Sequence, residues 1–423
     1  MYFLLKNANV YAESTFKRKN VYIENGYWHL KEIDYIPDNN DVAILDFNGY
    51  HIFPGLVDVH VHLREPGFFY KESIKSGTAA AARSGYTDIF SMPNLNPVPD
   101  NLENLKVQLE IIKNDSLINV HPYGSITKGE NGKNLSNMNE IASYVAGFSD
   151  DGHGVRDYNI IKSAMITAKK LGKIIVSHCE NNSLIGGGYI HKGKYSEKHG
   201  HKGICSESEW MAVERELKIA KEVGCKYHVC HVSAKESVNL IRKAKSEGVD
   251  VTCETAPHYL LLNDMNIKED GKFKMNPPIR SEEDRLALIE GIKNGTIDMI
   301  ATDHAPHSAE EKSKGLKGSL MGVAGIETAF PILYTKLVKT NILPLSKLIE
   351  LMSVNPSKRF GISNKFDVGG KANLCIFNLN QKYKIDPEKF ISKGKSTPFE
   401  GEEVYGKCVM TICDGKVVWQ EYS

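Results

Sequence analysis

In the run DVHVHLREPGF, residues 58–68, two histidines stand one residue apart at the end of a valine-rich stretch. Side chains two apart on a β-strand point to the same face, so His60 and His62 project side by side, as paired imidazole ligands of a metal would. Further donors follow singly: Asp150 and Asp151 in FSDDGHG, His178 in SHCE, His231 in CHVSA and Asp303 in TDHAPH. Zinc takes imidazole nitrogen and carboxylate oxygen. Four imidazoles and one carboxylate are too many for a single catalytic zinc with an open position; they suit two ions bridged by a further carboxylate. Asp151 is favoured as that bridge and Asp150 is the close alternative. A two-metal centre acidifies a shared water and polarises a carbonyl, so the implied chemistry is hydrolysis. Each residue also has a plainer reading. A single buried histidine is commonly a hydrogen-bonded core residue, and either aspartate can cap the helix expected near Asp157. His29, His121, His153, His191, His199 and His201 keep that plainer reading.

The donors need elements that gather them. Eight strand-like runs begin at GLVDVHVH, YTDIFSMPN, INVHPYGSI, SYVAGFSDDG, KIIVSHCE, KYHVCHVSA, VDVTCETAPH and IDMIATDHAPH. Amphipathic helical stretches separate most of them; the third connection, TKGENGKNLSNMNEIA, is the weakest helix. Apolar strands alternating with helices predict an α/β fold, a (β/α)8 TIM-type barrel. His60, His62, Asn94, the two aspartates, His178, His231, His258 and Asp303 all fall at the C-terminal ends of these strands, the end that carries barrel active sites. Both termini are instead β-rich, with an Asp414–Gly415 hairpin signal. They predict a small β-sandwich domain made of residues 1–52 and 361–423, with the barrel at 53–360 inserted between. A chain of 423 residues with 41% hydrophobic and 25% charged residues and a net charge of +1 points away from disorder and from a polyanionic partner. Eight scattered cysteines without a CxxC pair suit a reducing compartment, and no run approaches the length of a membrane span. The expectation is a cytoplasmic protein with no nucleic-acid or membrane partner.

Taken together, PGLVDVHVHLREPG, MPN, FSDDG, SHCE, CHVSA, NPPIR and TDHAPH resemble the class I dihydroorotases of the amidohydrolase superfamily, over nearly the whole chain. Enzymes of that family interconvert N-carbamoyl-L-aspartate and dihydroorotate in pyrimidine synthesis. The resemblance implies two Zn2+ per subunit, one held by His60, His62 and Asp303 and the other by His178 and His231, with a carboxylate between. Many relatives bridge with a carboxylated lysine. YVAGFSDDGHG has none, which places the likeness with the aspartate-bridged subgroup. It further implies that the substrate carboxylate meets Arg64, a planar fork of donors, with Asn94 and His307. Asn276 would bind the ring edge, backbone near Met321 and Gly322 would touch the substrate, and His62 would border it. Asp303 would carry the proton. The stretch 308–325 is read as a mobile loop that closes over the substrate. Asn373 stands where the family commonly has Asp, which bears on a turn of the β domain.

Two alternatives are weighed. An allantoinase or hydantoinase usually lacks the arginine after HxHL and keeps the bridging lysine, so Arg64 and FSDDG argue against it. A silent dihydroorotase-like subunit of aspartate transcarbamoylase has typically lost metal ligands, and here the set is full. The resemblance brings two candidate protein partners, a second copy of the chain in a homodimer and aspartate transcarbamoylase.

Overall fold

The computed structural model describes residues 2–37, 41–362 and 369–421. The eight expected strands form in order: Leu56–Val61, Tyr86–Ser91, Asn119–Pro122 continued by Gly124–Ser125, Gly147–Ser149, Ile174–Ser177, Tyr227–Val229, Val251–Thr255 and Met299–Ile300. Each pairs in parallel with its sequence neighbours. Strand eight returns to strand one through a parallel bridge of His304 with Val61, and the His62 N–H donates to the His304 carbonyl at 2.8 Å. The cylinder is therefore closed. Its interior is packed with Val57, Val59, Phe90, Met92, Tyr123, Ile174, Val176, Cys230, Met299 and Ala301. It is a core and not a pore.

Local sequence explains the outer helices. In the helix Tyr158–Lys170 the buried residues are Ile161, Ala164, Met165 and Ala168, an apolar stripe at helical spacing, and the Asp157 side chain caps its start. Glu207–Val223 ends on Gly224 in the left-handed region. The third connection, the weakest in pattern, holds only the single turn Met138–Ile141 and short 3-10 turns.

The termini build one sheet. Its path runs Lys416–Gln420, Glu403–Cys413, Leu374–Lys384, His51–Pro54, Tyr2–Ala12, Thr15–Glu24, Tyr27–Lys31, with Ala43–Asp46 also on Tyr2–Ala12. The antiparallel pairing of His51–Pro54 with Leu374–Phe377 joins the two ends of the chain. The sheet curls until Tyr27 bridges Lys371, and it encloses Leu5, Val10, Val21, Ile23, Trp28, Ile52, Leu374, Ile376, Met410 and Ile412. Asn373 serves the turn in question: its Oδ1 accepts the Asp414 N–H at 2.6 Å, closing the 414–415 hairpin. No helix among the described residues is long and apolar enough to cross a membrane.

Candidate metal centre and substrate pocket

The six residues expected as metal ligands converge at the C-terminal mouth of the barrel. Asp151 lies among the four imidazoles: Oδ1 is 3.3 Å from His60 Nε2 and 3.7 Å from both His178 Nδ1 and His231 Nε2, and Oδ2 is 3.4 Å from His62 Nε2. Asp303 Oδ1 stands 3.3 Å from His62 Nε2 and 3.5 Å from His60 Nε2. His178 Nδ1 and His231 Nε2 face each other at 2.9 Å. All six are buried. Burial alone would raise the carboxyls of Asp151 and Asp303, but the charge of His60 and the other imidazoles close by outweigh it and hold both well below the usual carboxylate range.

The neighbouring aspartate is spent elsewhere. Asp150 Oδ1 accepts the N–H groups of Ile126 and Thr127 at 2.7 and 3.0 Å, and Oδ2 accepts the Thr127 hydroxyl. Asp150 thus ties strand four to the loop after strand three, while Asp151 faces the cluster.

Carboxylates that the motifs did not single out hold the clustered histidines in place. Glu254 of strand seven is buried; its Oε1 sits 2.7 Å from His60 Nδ1 and its Oε2 3.1 Å from His228 Nε2. A carboxylate on Nδ1 fixes the proton there and turns the Nε2 lone pair to the centre. Asp58 accepts the His60 N–H at 3.1 Å and the Thr302 hydroxyl at 2.5 Å, locking strand one to strand eight. Two residues before His60 and on the same face, Asp58 was detectable from the alternation of DVHVH. Glu254 had no such signal. Glu180 Oε2 lies 3.4 Å from His178 Nε2 and accepts from Asn276 Nδ2 at 3.1 Å. Arg64, His231 and Asp303 take positive φ values of 61°, 31° and 48°, a strain of order 1–3 kcal/mol each that clusters at functional sites.

The residues expected around the substrate border this cluster. The buried Arg64 donates from Nε to the Pro306 carbonyl at 3.2 Å, and its Nη2 lies 3.4 Å from His307 Nε2. Among the described residues no carboxylate lies within the 4.0 Å of an ion pair with Arg64: Glu65 caps Ile74, and Glu72 holds His304, Ser392 and Ser76. His307 Nε2 lies 2.8 Å from the Met321 carbonyl, and Lys71 Nζ 3.3 Å from its Nδ1. Burial, with the charges of Arg64 and Lys71, pushes His307 down to about 3. Gly322, at φ 140°, packs so closely that a Cβ would meet the Ala305 carbonyl oxygen at 2.5 Å. Asn94 Oδ1 lies 2.9 Å from His62 Nδ1, so in this structure Asn94 orients a histidine. Asn276 Oδ1 is buried without a hydrogen-bond partner. The 308–325 stretch, expected as a loop, contains two single helical turns, Ala309–Lys312 and Gly315–Gly318.

The donor chemistry fits a metal. His60 Nε2 and Asp151 Oδ1 are both buried with no hydrogen-bond partner, which is costly for polar atoms unless something else satisfies them. Two sets of donors lie within 4.8 Å of one another and point inward, His60 with His62 and Asp303, and His60 with Asp151 and His231. A third set, His60 with Cys230 and Glu254, lies on the Nδ1 side, where Glu254 is already held by two imidazoles.

Comparisons with known proteins bear on the family. Residues 49–237 match the family model described as Dihydro-orotase-like. The chain is 48% identical over 421 residues to a dihydroorotase of Fusobacterium nucleatum subsp. nucleatum, covering 98% of each, and 45% identical over 427 residues to that of Bacillus cytotoxicus, covering 100% of this chain and 99% of the relative. Among solved structures it is similar to an L-hydantoinase (dihydropyrimidinase) from Arthrobacter aurescens, at TM-score 0.89 and 27% identity over 100% of this chain and 97% of the other. The dihydropyrimidinase of Brevibacillus agri, at TM-score 0.86 and 22% identity over 99% of this chain and 95% of that one, shares the fold. Barrel, terminal β domain, clustered ligands and near-full-length likeness lead to one conclusion: the chain belongs to the dihydroorotase family and is a cyclic amidohydrolase.

Proposed function

We propose that this chain interconverts N-carbamoyl-L-aspartate and dihydroorotate for pyrimidine synthesis, as a cytoplasmic enzyme that holds two zinc ions per subunit. One observation carries the substrate assignment. Arg64 is a buried guanidinium with no carboxylate partner among the described residues, beside a cluster of hydrolytic type. A buried unpaired charge is strongly destabilising, and a planar carboxylate is the group its fork suits. Dihydroorotate carries such a carboxylate; hydantoin and allantoin carry none.

In this reading His60, His62 and Asp303 would hold one ion and His178 and His231 the other, with Asp151 as the carboxylate between. Bound there, zinc would supply an acidified water and a Lewis acid for the carbonyl. The rest is done by the chain. Arg64, Asn94 and His307 seat the carboxylate, His62 borders the ring, and the unpartnered Asn276 Oδ1 accepts a ring N–H. Met321 and Gly322 wall the pocket through backbone. Asp303, kept ionised, takes a proton from the attacking water and returns it to the departing ring nitrogen; in the cyclising direction the transfers reverse. The barrel, 53–360, carries all of these residues, and the terminal domain of 1–52 and 361–423 supports it. A homodimer and a complex with aspartate transcarbamoylase belong to the same reading.

Assay of the zinc-loaded protein against dihydroorotate, allantoin and hydantoin tests the reading. Turnover of dihydroorotate alone, with about two zinc equivalents per chain by metal analysis, is the expected result. Preference for hydantoin would overturn it.

A further inference from the structure

The hydrolytic centre does not use Lys312, yet this lysine is buried, and no carboxylate among the described residues lies within ion-pair distance of its Nζ. Nζ instead donates to three carbonyl oxygens: Lys274 at 3.0 Å, Leu320 at 2.8 Å and Gly322 at 2.8 Å. The segment 320–322 alternates. Its outer two carbonyls face Lys312, and the one between, Met321, faces His307 Nε2 at 2.8 Å. The Lys274 carbonyl also accepts the Gly322 N–H at 3.0 Å, and the Lys274 side chain reaches the Lys317 carbonyl at 2.9 Å. One buried cation therefore sits where the stretch before Asn276 meets the segment that touches His307.

We propose that Lys312 is a positioning residue for the substrate pocket, its ammonium holding 320–322 so that Met321 orients His307 beside Arg64. The inference rests on the reading of Arg64 and His307 as the seat of the substrate carboxylate. Only a protonated lysine has a donor for each of three carbonyls. Burial and the charge of Lys274 push Lys312 down to about 7, with Asp270 opposing. The carbonyl dipoles favour the charged form. Without the ammonium, three buried carbonyls lose a donor, and the segment is held less firmly, by its remaining bonds to Lys274, Glu311 and His307.

The test compares Lys312→Met with Lys317→Met, an exposed lysine of the same loop. In Lys312→Met the KM for dihydroorotate is expected to rise at least about tenfold, the scale of one lost charge-assisted hydrogen bond, with kcat within about threefold of wild type. Lys317→Met keeps the wild-type KM. Trypsin should cut Lys312→Met faster after Lys314 or Lys317 than it cuts the wild type. An unchanged KM, or a kcat that falls in step with thermal stability while KM stays, overturns the proposal. If Lys312→Met does not fold, Lys312→Gln, uncharged and too short for all three carbonyls, is judged by the same criteria. If the wild type does not turn over dihydroorotate, the functional reading fails instead, and the trypsin comparison still decides whether Lys312 holds the segment.

Discussion

Glu254→Gln isolates the carboxylate behind His60. Glu254 is 1% exposed, with its oxygens 2.7 Å from His60 Nδ1 and 3.1 Å from His228 Nε2. Burial alone would raise its carboxyl, but the charges and hydrogen bonds of the two imidazoles bring it down to about 2. Glutamine keeps the volume, removes the charge and turns one acceptor into a donor. A hydrogen bond to a charged group contributes roughly 1.5–3 kcal/mol and a neutral one about 0.5–1.5, so the bond to His60 weakens by about 1–1.5 kcal/mol. His60 then loses part of its fixed tautomer and its basicity. Outer carboxylates of this kind typically account for about 10–100-fold in metal affinity or activity. Zinc affinity, from competition with a chromogenic chelator, is expected to fall by that factor, and kcat/KM at limiting zinc with it. Zinc affinity within about twofold of wild type would refute the reasoning, since a carboxylate that orients a metal-binding histidine has a larger effect than that.

Asp151→Asn is expected to lose bound zinc and more than about a thousandfold of kcat, whereas Asp150→Asn keeps its zinc and loses stability, because its buried oxygens serve Ile126 and Thr127; metal analysis and thermal melts of the two variants separate the roles. Arg64→Lys should raise the KM for dihydroorotate about tenfold or more with less effect on kcat, since an ammonium cannot make the paired contact of the guanidinium fork; steady-state kinetics decides it. Chelation should abolish activity and added zinc restore it, which a dialysis and reconstitution series would show. His191 is buried, and burial with the charge of Arg280 pushes it down to about 4. The native state keeps it neutral while the unfolded chain protonates it below about 6.5. The stability it contributes is thus present above pH 6.5 and is lost as pH falls toward 4, by at most about 1.4 kcal/mol per pH unit; urea melts of wild type and His191→Gln across that window should show the shallower slope in the variant.

Much of the site was legible because its signals are local. Alternation in DVHVH places His60 and His62 on one face, and each later candidate donor stands at the end of its own apolar strand, so a barrel alone brings them to one rim. The β-rich termini likewise announced a shared domain, which the pairing of His51–Pro54 with Leu374–Phe377 joins. Other features had no local signature. Asp150 and Asp151 are adjacent and chemically identical; only the donors of Ile126 and Thr127, brought up by the preceding strand, turn one away and leave the other to the histidines. Glu254 meets His60 from 194 positions away, and Lys312 finds its three carbonyls on two separate segments. Periodicity along the chain determines which face a side chain takes. Which buried charge meets which partner depends on segments far apart in sequence, and only the closed fold decides it.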